Sequence, residues 1–236
     1  MRRWITKRSN GLLCVSAPGG LSSIRYTEVM IPKKIIVIGG CTVHGQGDPY
    51  SGGFVARLRR WHETSSVENN RVFNLGVGGD GVFEMLTRGP GECRARRPDL
   101  IVLYPGLNDT RRVGGPEVPP QHSFESVRKT LGTLISELGQ ISPLVVLSAV
   151  PVDESRTSPF WGKWYFRMSD AATMAEVVAE ACRVTDAPHM PLFETWASRA
   201  DLKDLLADGV HLNSAGHELL FQELTSFLCG LFTADQ

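Results

Sequence analysis

Lys34-Ile35-Ile36-Val37-Ile38-Gly39-Gly40-Cys41-Thr42-Val43 decides how this chain is read. A short β-branched run bounded by glycine predicts a strand buried on both faces, as in parallel sheets. Gly39 and Gly40 allow a sharp turn where the strand ends. Cys41 then falls in the crevice beyond the strand's carboxyl end, where open α/β sheets place ligands. A lone free cysteine is otherwise a small buried hydrophobe, so the rest of the chain has to decide between packing and chemistry.

Outward from this strand, apolar runs alternate with helical periodicity. Phe54, Leu58 and Trp61 predict a helix ending near Thr64, and Arg71 to Leu75 a second strand. The cluster Gly76-Val77-Gly78-Gly79-Asp80-Gly81 follows, then a helix from Val82 to about Arg96, weakened near Gly89-Pro90-Gly91. Leu100 to Tyr104 is the third strand. Val127, Leu131, Leu134, Ile135 and Leu138 line one face of a helix from Phe124 to Leu138. Leu144 to Val150 is the fourth strand. A helix from about Ser169 to Val184, a short strand near Met190 to Phe193 and a helix from about Ser214 to Leu231 complete the pattern. Five strands joined by crossover helices predict a three-layer α/β/α fold on a five-stranded parallel sheet. The segment Asp153 to Tyr165 holds Pro159, Phe160, Trp161, Trp164 and Tyr165 without a period, which reads as a binding loop or lid.

The 236 residues suit one large domain. Lys and Arg total 25 against 25 Asp and Glu, a balance that recruits neither nucleic acid nor an anionic membrane. No apolar run approaches the roughly 20 residues that span a bilayer. The five cysteines (14, 41, 93, 182 and 229) are scattered, without C-x-x-C spacing. That argues against a disulfide framework or zinc site and fits a reducing, cytoplasmic setting. Residues 1–30 mix Arg, Gly, Ser and Pro without period. They read as a disordered extension ahead of a domain over 31–236, since the apolar stretch Gly11–Val15 is too short for a secretory signal.

The unusual residues gather at strand ends: Cys41, the Gly76–Gly81 cluster and Asn108, with Asp208 and His211 three residues apart near the C-terminus. Taken singly, His211 and Asp208 suit a helix entrance and a turn. The G-x-S-x-G nucleophile elbow is absent, because Val43 holds its last glycine position. Gly76-x-Gly78-x-x-Gly81 fits the dinucleotide fingerprint, but no acid ends the next strand at the required distance, so no nucleotide cofactor is expected. His44, His62, His122, His189 and His217 show no metal-binding spacing, so no metal is expected.

From Lys34 to Leu231 the chain resembles the SGNH (GDSL-like) hydrolase family. Gly39-Gly40-Cys41 stands where that family has Gly-Asp-Ser, and Asn74-Leu75-Gly76-Val77-Gly78-Gly79 matches its second segment. Gly106-Leu107-Asn108-Asp109 matches Gly-x-Asn-Asp, and Asp208-Gly209-Val210-His211 matches Asp-x-x-His. The resemblance implies a triad of Cys41, His211 and Asp208. It assigns the oxyanion hole to the backbone N–H groups of Cys41 and Gly79 and the side-chain amide of Asn108. His211 would be the general base and Asp208 its orienting partner. Cysteine in place of serine and Gly40 in place of aspartate are departures. A Cys–His pair remains a competent nucleophile.

The implied activity is hydrolysis of an ester or thioester through an acyl-enzyme. Acyl transfer to an amine or alcohol is an alternative, and an inactive acyl-binding homologue a third reading. The expected partner is a small acyl ester or thioester, with an acyl carrier protein as a further donor. Trp161 and Trp164 are candidate substrate-binding residues, against the plainer reading of lid packing.

Overall fold

The computed structural model describes residues 5–8, 11–16, 25–29 and 31–233. Strands β1 (Ile5–Arg8), β2 (Gly11–Ser16) and β3 (Arg25–Val29) pair as a small antiparallel sheet. Part of the stretch expected to be disordered is thus described as strands, and the rest of that expectation lies outside the described residues. The main body follows in order. It begins with β4 (Lys34–Gly39), the single turn α1 (Cys41–His44), α2 (Gly53–Glu63), β5 (Arg71–Gly76) and α3 (Val82–Arg96). Then come β6 (Leu100–Tyr104), β7 (Arg112–Val113), α4 (Phe124–Gly139), β8 (Leu144–Leu147), α5 (Glu154–Thr157) and β9 (Trp164–Tyr165). It ends with α6 (Met168–Thr185), β10 (His189–Met190), α7 (Leu192–Ala197) and α8 (Ser214–Thr233).

The principal sheet has the order β10-β8-β6-β4-β5, all neighbours parallel, so β4 is flanked on both sides. That position explains its apolar run. Ile35 and Val37 face a core shared with Phe54, Leu58, Trp196, Leu220 and Leu224, beneath α2, α7 and α8. Ile36 and Ile38 face the opposite core with Met85, Leu131, Leu134, Met174 and Val178, beneath α3, α4 and α6. A strand clad on both faces has no solvent side to leave polar. The expected three-layer α/β/α fold is therefore the one observed.

Two boundaries differ from expectation. The strand expected over Met190 to Phe193 is only His189–Met190, because Pro191 has no N–H to extend the ladder and instead opens α7. The fourth strand stops at Leu147, where Ser148 turns aside: its Oγ accepts from the Phe193 N–H at 3.1 Å. α3 runs unbroken through Gly89-Pro90-Gly91. Gly89 lies against Ile38, where an added Cβ would stand 2.6 Å from Cδ1. Among the described residues no helix is long and apolar enough to cross a membrane.

Truncating Ile36 tests the core assignment. Ile36 is fully buried, so Ile36→Ala should lower the unfolding free energy by about 2–5 kcal/mol. Urea unfolding would measure it, and a loss below about 1 kcal/mol would contradict the assignment.

Candidate active site

Cys41 opens α1 directly beyond the end of β4 and is half-buried. Gly39 makes this turn possible by close approach: an added Cβ would stand 2.5 Å from Val43 and 2.6 Å from the Tyr104 carbonyl oxygen. β5 ends in register with β4, Gly76 opposite Gly39, and delivers the loop 77–81 to the same edge. From that loop the Gly79 N–H donates to Cys41 Sγ at 3.2 Å. Gly79 has φ +91° with nothing within 4 Å of an added Cβ. Its backbone conformation favours glycine there.

Asn108 follows β6 at the same edge. Its Nδ2 donates to the Asp80 carbonyl oxygen at 2.9 Å and lies 3.9 Å from Cys41 Sγ. Asp109, next in the chain, is buried and accepts from the Val82 N–H at 3.2 and 3.0 Å through its two oxygens. It thereby caps α3 and ties the Asn108 loop to the glycine loop; burial pushes its carboxyl up to about 6. Arg88 closes the other side, donating to the Asp80 carboxylate at 2.6 Å and to the Leu75 carbonyl oxygen at 2.8 Å.

Asp208 and His211 arrive on a turn ahead of α8. The Asp208 carboxylate accepts from the His211 N–H at 2.8 Å, the Val210 N–H at 3.1 Å and His211 Nδ1–H at 2.7 Å. Gly209, at φ +99°, has no room for a side chain between Thr157 and Arg156, and its carbonyl oxygen accepts from the Asp153 N–H at 2.9 Å. The turn is therefore pinned to the start of the aromatic segment.

The imidazole of His211 faces the Cys41 thiol across one cleft. Burial alone would raise that thiol, but the His211 bond, the Gly79 N–H, the imidazolium charge and Asn108 together hold it below its ordinary value. Burial would lower His211, but the bonds to Asp208 and Cys41 raise it to about 9. Asp208 lies below the usual carboxylate range: its burial is outweighed by the bonds from His211. The contrast with the other thiols is sharp, since burial pushes Cys93 up to about 11 and Cys182 up to about 12. Cys41 is thus the thiol at this edge that favours its charged form. Cys229 is disulfide-bonded, so the scattered cysteines are not all free and the argument from them to a reducing compartment loses its force.

Cys41, His211 and Asn108 face one cleft of about 30 Å³, also lined by Thr42, Tyr104, Leu107, Ala149 and Val150. Of the two tryptophans singled out in the sequence, Trp161 lies 6.2 Å from His211 between ring centroids. Trp164 stands farther out, with Lys163 Nζ 4.4 Å and Arg111 Cζ 4.9 Å over its ring. Sequence reasoning assigned no site role of their own to Phe160, which is buried and 5.9 Å from His211, or to Asp109, Asp80 and Arg88. The doubled Asn-Asp was the one signal that could have marked Asp109. Among the described residues no cluster of His, Cys, Asp and Glu could hold a metal ion.

Residues 37–219 match the model of the GDSL-like lipase/acylhydrolase family. No protein of curated function matches the chain. Among solved structures, a lipase/acylhydrolase from Enterococcus faecalis superposes with a TM-score of 0.68 at 22% identity, covering 84% of this chain and 96% of that one. An alpha/beta hydrolase from the metagenome of Lake Arreo, Spain, gives 0.64 at 17% identity, covering 83% and 94%. Axe2, an acetylxylan esterase from Geobacillus stearothermophilus, gives 0.63 at 18%, covering 83% and 94%. At these identities the likeness is one of fold.

Gly40 offers a test of the Asn108 placement. A Cβ there would lie 2.9 Å from Asn108 Nδ2 and 2.9 Å from the Asp80 carbonyl oxygen. Gly40→Ala should push the amide away and slow acylation of Cys41 by about 10²-fold, the typical loss on removing one oxyanion donor. Stopped-flow acylation by an activated ester would show this, and an unchanged rate would mean that Asn108 does not serve the reaction.

Proposed function

Because the chain belongs to the GDSL-like lipase/acylhydrolase family, we propose that it hydrolyses short-chain acyl esters through a thioester on Cys41, with His211 and Asp208 completing a triad. The observation that carries this reading is the pairing of a lowered Cys41 thiol with a raised His211 across one cleft. The Cys41 thiolate attacks the acyl carbonyl carbon, and the carbonyl oxygen becomes an oxyanion. The N–H groups of Cys41 and Gly79 and the Asn108 amide hold that charge. As the tetrahedral species collapses the ester C–O bond breaks, and the His211 proton passes to the departing alkoxide. A thioester and a free alcohol result.

Acylation removes the negative charge that helped to raise His211. The imidazole, now neutral and still held through Nδ1–H by Asp208, is free to take a proton from water. The resulting hydroxide attacks the thioester, the C–S bond breaks, and the carboxylic acid leaves, losing its proton to solvent, as the thiolate returns to its imidazolium partner. An amine or alcohol in place of water makes the same intermediate an acyl donor, so transfer shares every step but the last. The small cleft supports a short acyl chain, since sites for larger ligands run to about 300 Å³ and more. An acetyl group suits it, and an acetylxylan esterase shares the fold. We assign this chemistry to the domain from residue 31 onward, with the residues before it as an appendage.

Two outcomes follow. Incubation with 4-nitrophenyl acetate and rapid acid quench should leave one acetyl group on the peptide carrying Cys41, seen by mass spectrometry. Cys41→Ala should lose the adduct and about 10⁴-fold or more in turnover. An adduct elsewhere, or turnover undiminished in Cys41→Ala, would overturn the reading. The acylation rate should rise with pH through the lowered Cys41 value, hold a plateau, and fall near pH 9 as His211 loses the proton owed to the leaving group. A rate still climbing above pH 9 would contradict that role for His211.

A further inference from the structure

The aromatic segment between α5 and β9 has a shape that lid packing does not explain. Lys163 N–H donates to the Phe160 carbonyl oxygen at 3.2 Å, closing a four-residue turn. Both central residues, Trp161 at φ +49° and Gly162 at φ +71°, have positive φ, as in a type I′ turn. Such a turn selects Asn, Asp or Gly at its first central position. A bulky side chain there is an outlier, and strained residues of this kind cluster at ligand clamps and active sites. Packing does not repay the strain, because Trp161 remains 57% exposed. One side of its indole is stacked on Phe160, with centroids 4.6 Å apart at 21°, and the ring stands 6.2 Å from His211.

His211 delivers its proton to the leaving group, so the leaving group passes on the His211 side of Cys41. Trp161 is the aromatic ring at that side with a face open to solvent. Trp164 already carries Lys163 and Arg111 over its ring and acts as a brace. Arg112 supports the turn from below. It pairs with Tyr165 between β7 and β9 and donates to the buried Asp170 carboxylate at 2.6 and 2.7 Å.

Resting on the proposed esterase reading, we propose that Trp161 is the leaving-group platform and that the alcohol released is a carbohydrate whose ring stacks on the indole. The leaving group of an ester is an alcohol, and a pyranose is an alcohol with a flat C–H face. Gly162 and Lys163 beside the ring are also exposed, so the group seated there keeps most of its surface in water. A polyol accepts that setting, whereas an aryl group resists it.

The test compares glucose pentaacetate with ethyl acetate, and phenyl acetate with ethyl acetate, as ratios of kcat/KM in wild type and Trp161 variants. Trp161→Ala should lower the sugar-ester ratio about tenfold, a typical worth of one aromatic stack. Trp161→Phe should keep most of it. Trp161→Asn fits the turn better, so it should raise Tm while losing the sugar preference, a combination that mere packing would not give. A sugar-ester ratio unmoved in Trp161→Ala overturns the proposal, and so does a loss confined to phenyl acetate. An acetyl adduct on Cys41 from ethyl acetate without sugar-ester turnover removes the platform and leaves the esterase reading standing. No adduct from any ester removes both.

Discussion

The Cys41 thiol and the His211 imidazole meet across a half-buried cleft, each shifted toward its charged form, and the surrounding structure is arranged about that pairing. Neither charge is favoured by burial alone, which would raise the thiol and lower the imidazole. Each is made favourable by the other, by Asp208 behind the imidazole and by the Gly79 N–H beside the sulfur. A serine at the same place would leave the proton on oxygen until the moment of attack, with a neutral histidine waiting to receive it. A cysteine inverts that order. In the proposed reaction the proton starts on His211, ready for the leaving group, and the lowered Cys41 thiol supplies the nucleophile.

The fold holds these groups because three loops leave one end of a parallel sheet and the turn ahead of α8 brings His211 to them. β4, β5 and β6 are adjacent and in register, and their loops carry Cys41, Gly79 and Asn108. Hydrogen bonds then fix the loops to one another: Asn108 to the Asp80 carbonyl oxygen, Asp109 to the cap of α3, Arg88 to Asp80 and Leu75. Gly40 belongs to this set by lacking a side chain, which leaves the Asn108 amide its position. The replaced serine and the replaced aspartate are neighbours in sequence, and both changes bear on the atoms around the sulfur.

Much of the fold is legible in the sequence. The double-sided apolar run of β4 announced a central parallel strand, because only a strand covered on both faces tolerates it. The Asn108 and Asp208–His211 segments could be singled out only through their resemblance to the family's ordered segments, since taken singly each suits a turn. Burial of Asp109 and the reach of Arg88 could not, since they depend on which loops meet. The φ of +91° at Gly79, which favours glycine there, is likewise a property of the folded loop. The aromatic segment gave the least. It has no period, and nothing in its composition says that Trp161 stands at positive φ beside His211 while Trp164 is covered by cations.

The measurement closest to the centre of this account is the pH dependence of iodoacetamide alkylation at Cys41, followed by peptide mass spectrometry in wild type and His211→Ala. In wild type the rate should rise through a midpoint below the roughly 8.5 of a free cysteine, and Cys41 should outpace Cys93 and Cys182. His211→Ala should move that midpoint upward, because burial then acts without the imidazolium to oppose it. A wild-type midpoint at or above that of a free thiol, or one that His211→Ala leaves in place, would contradict the ion pair.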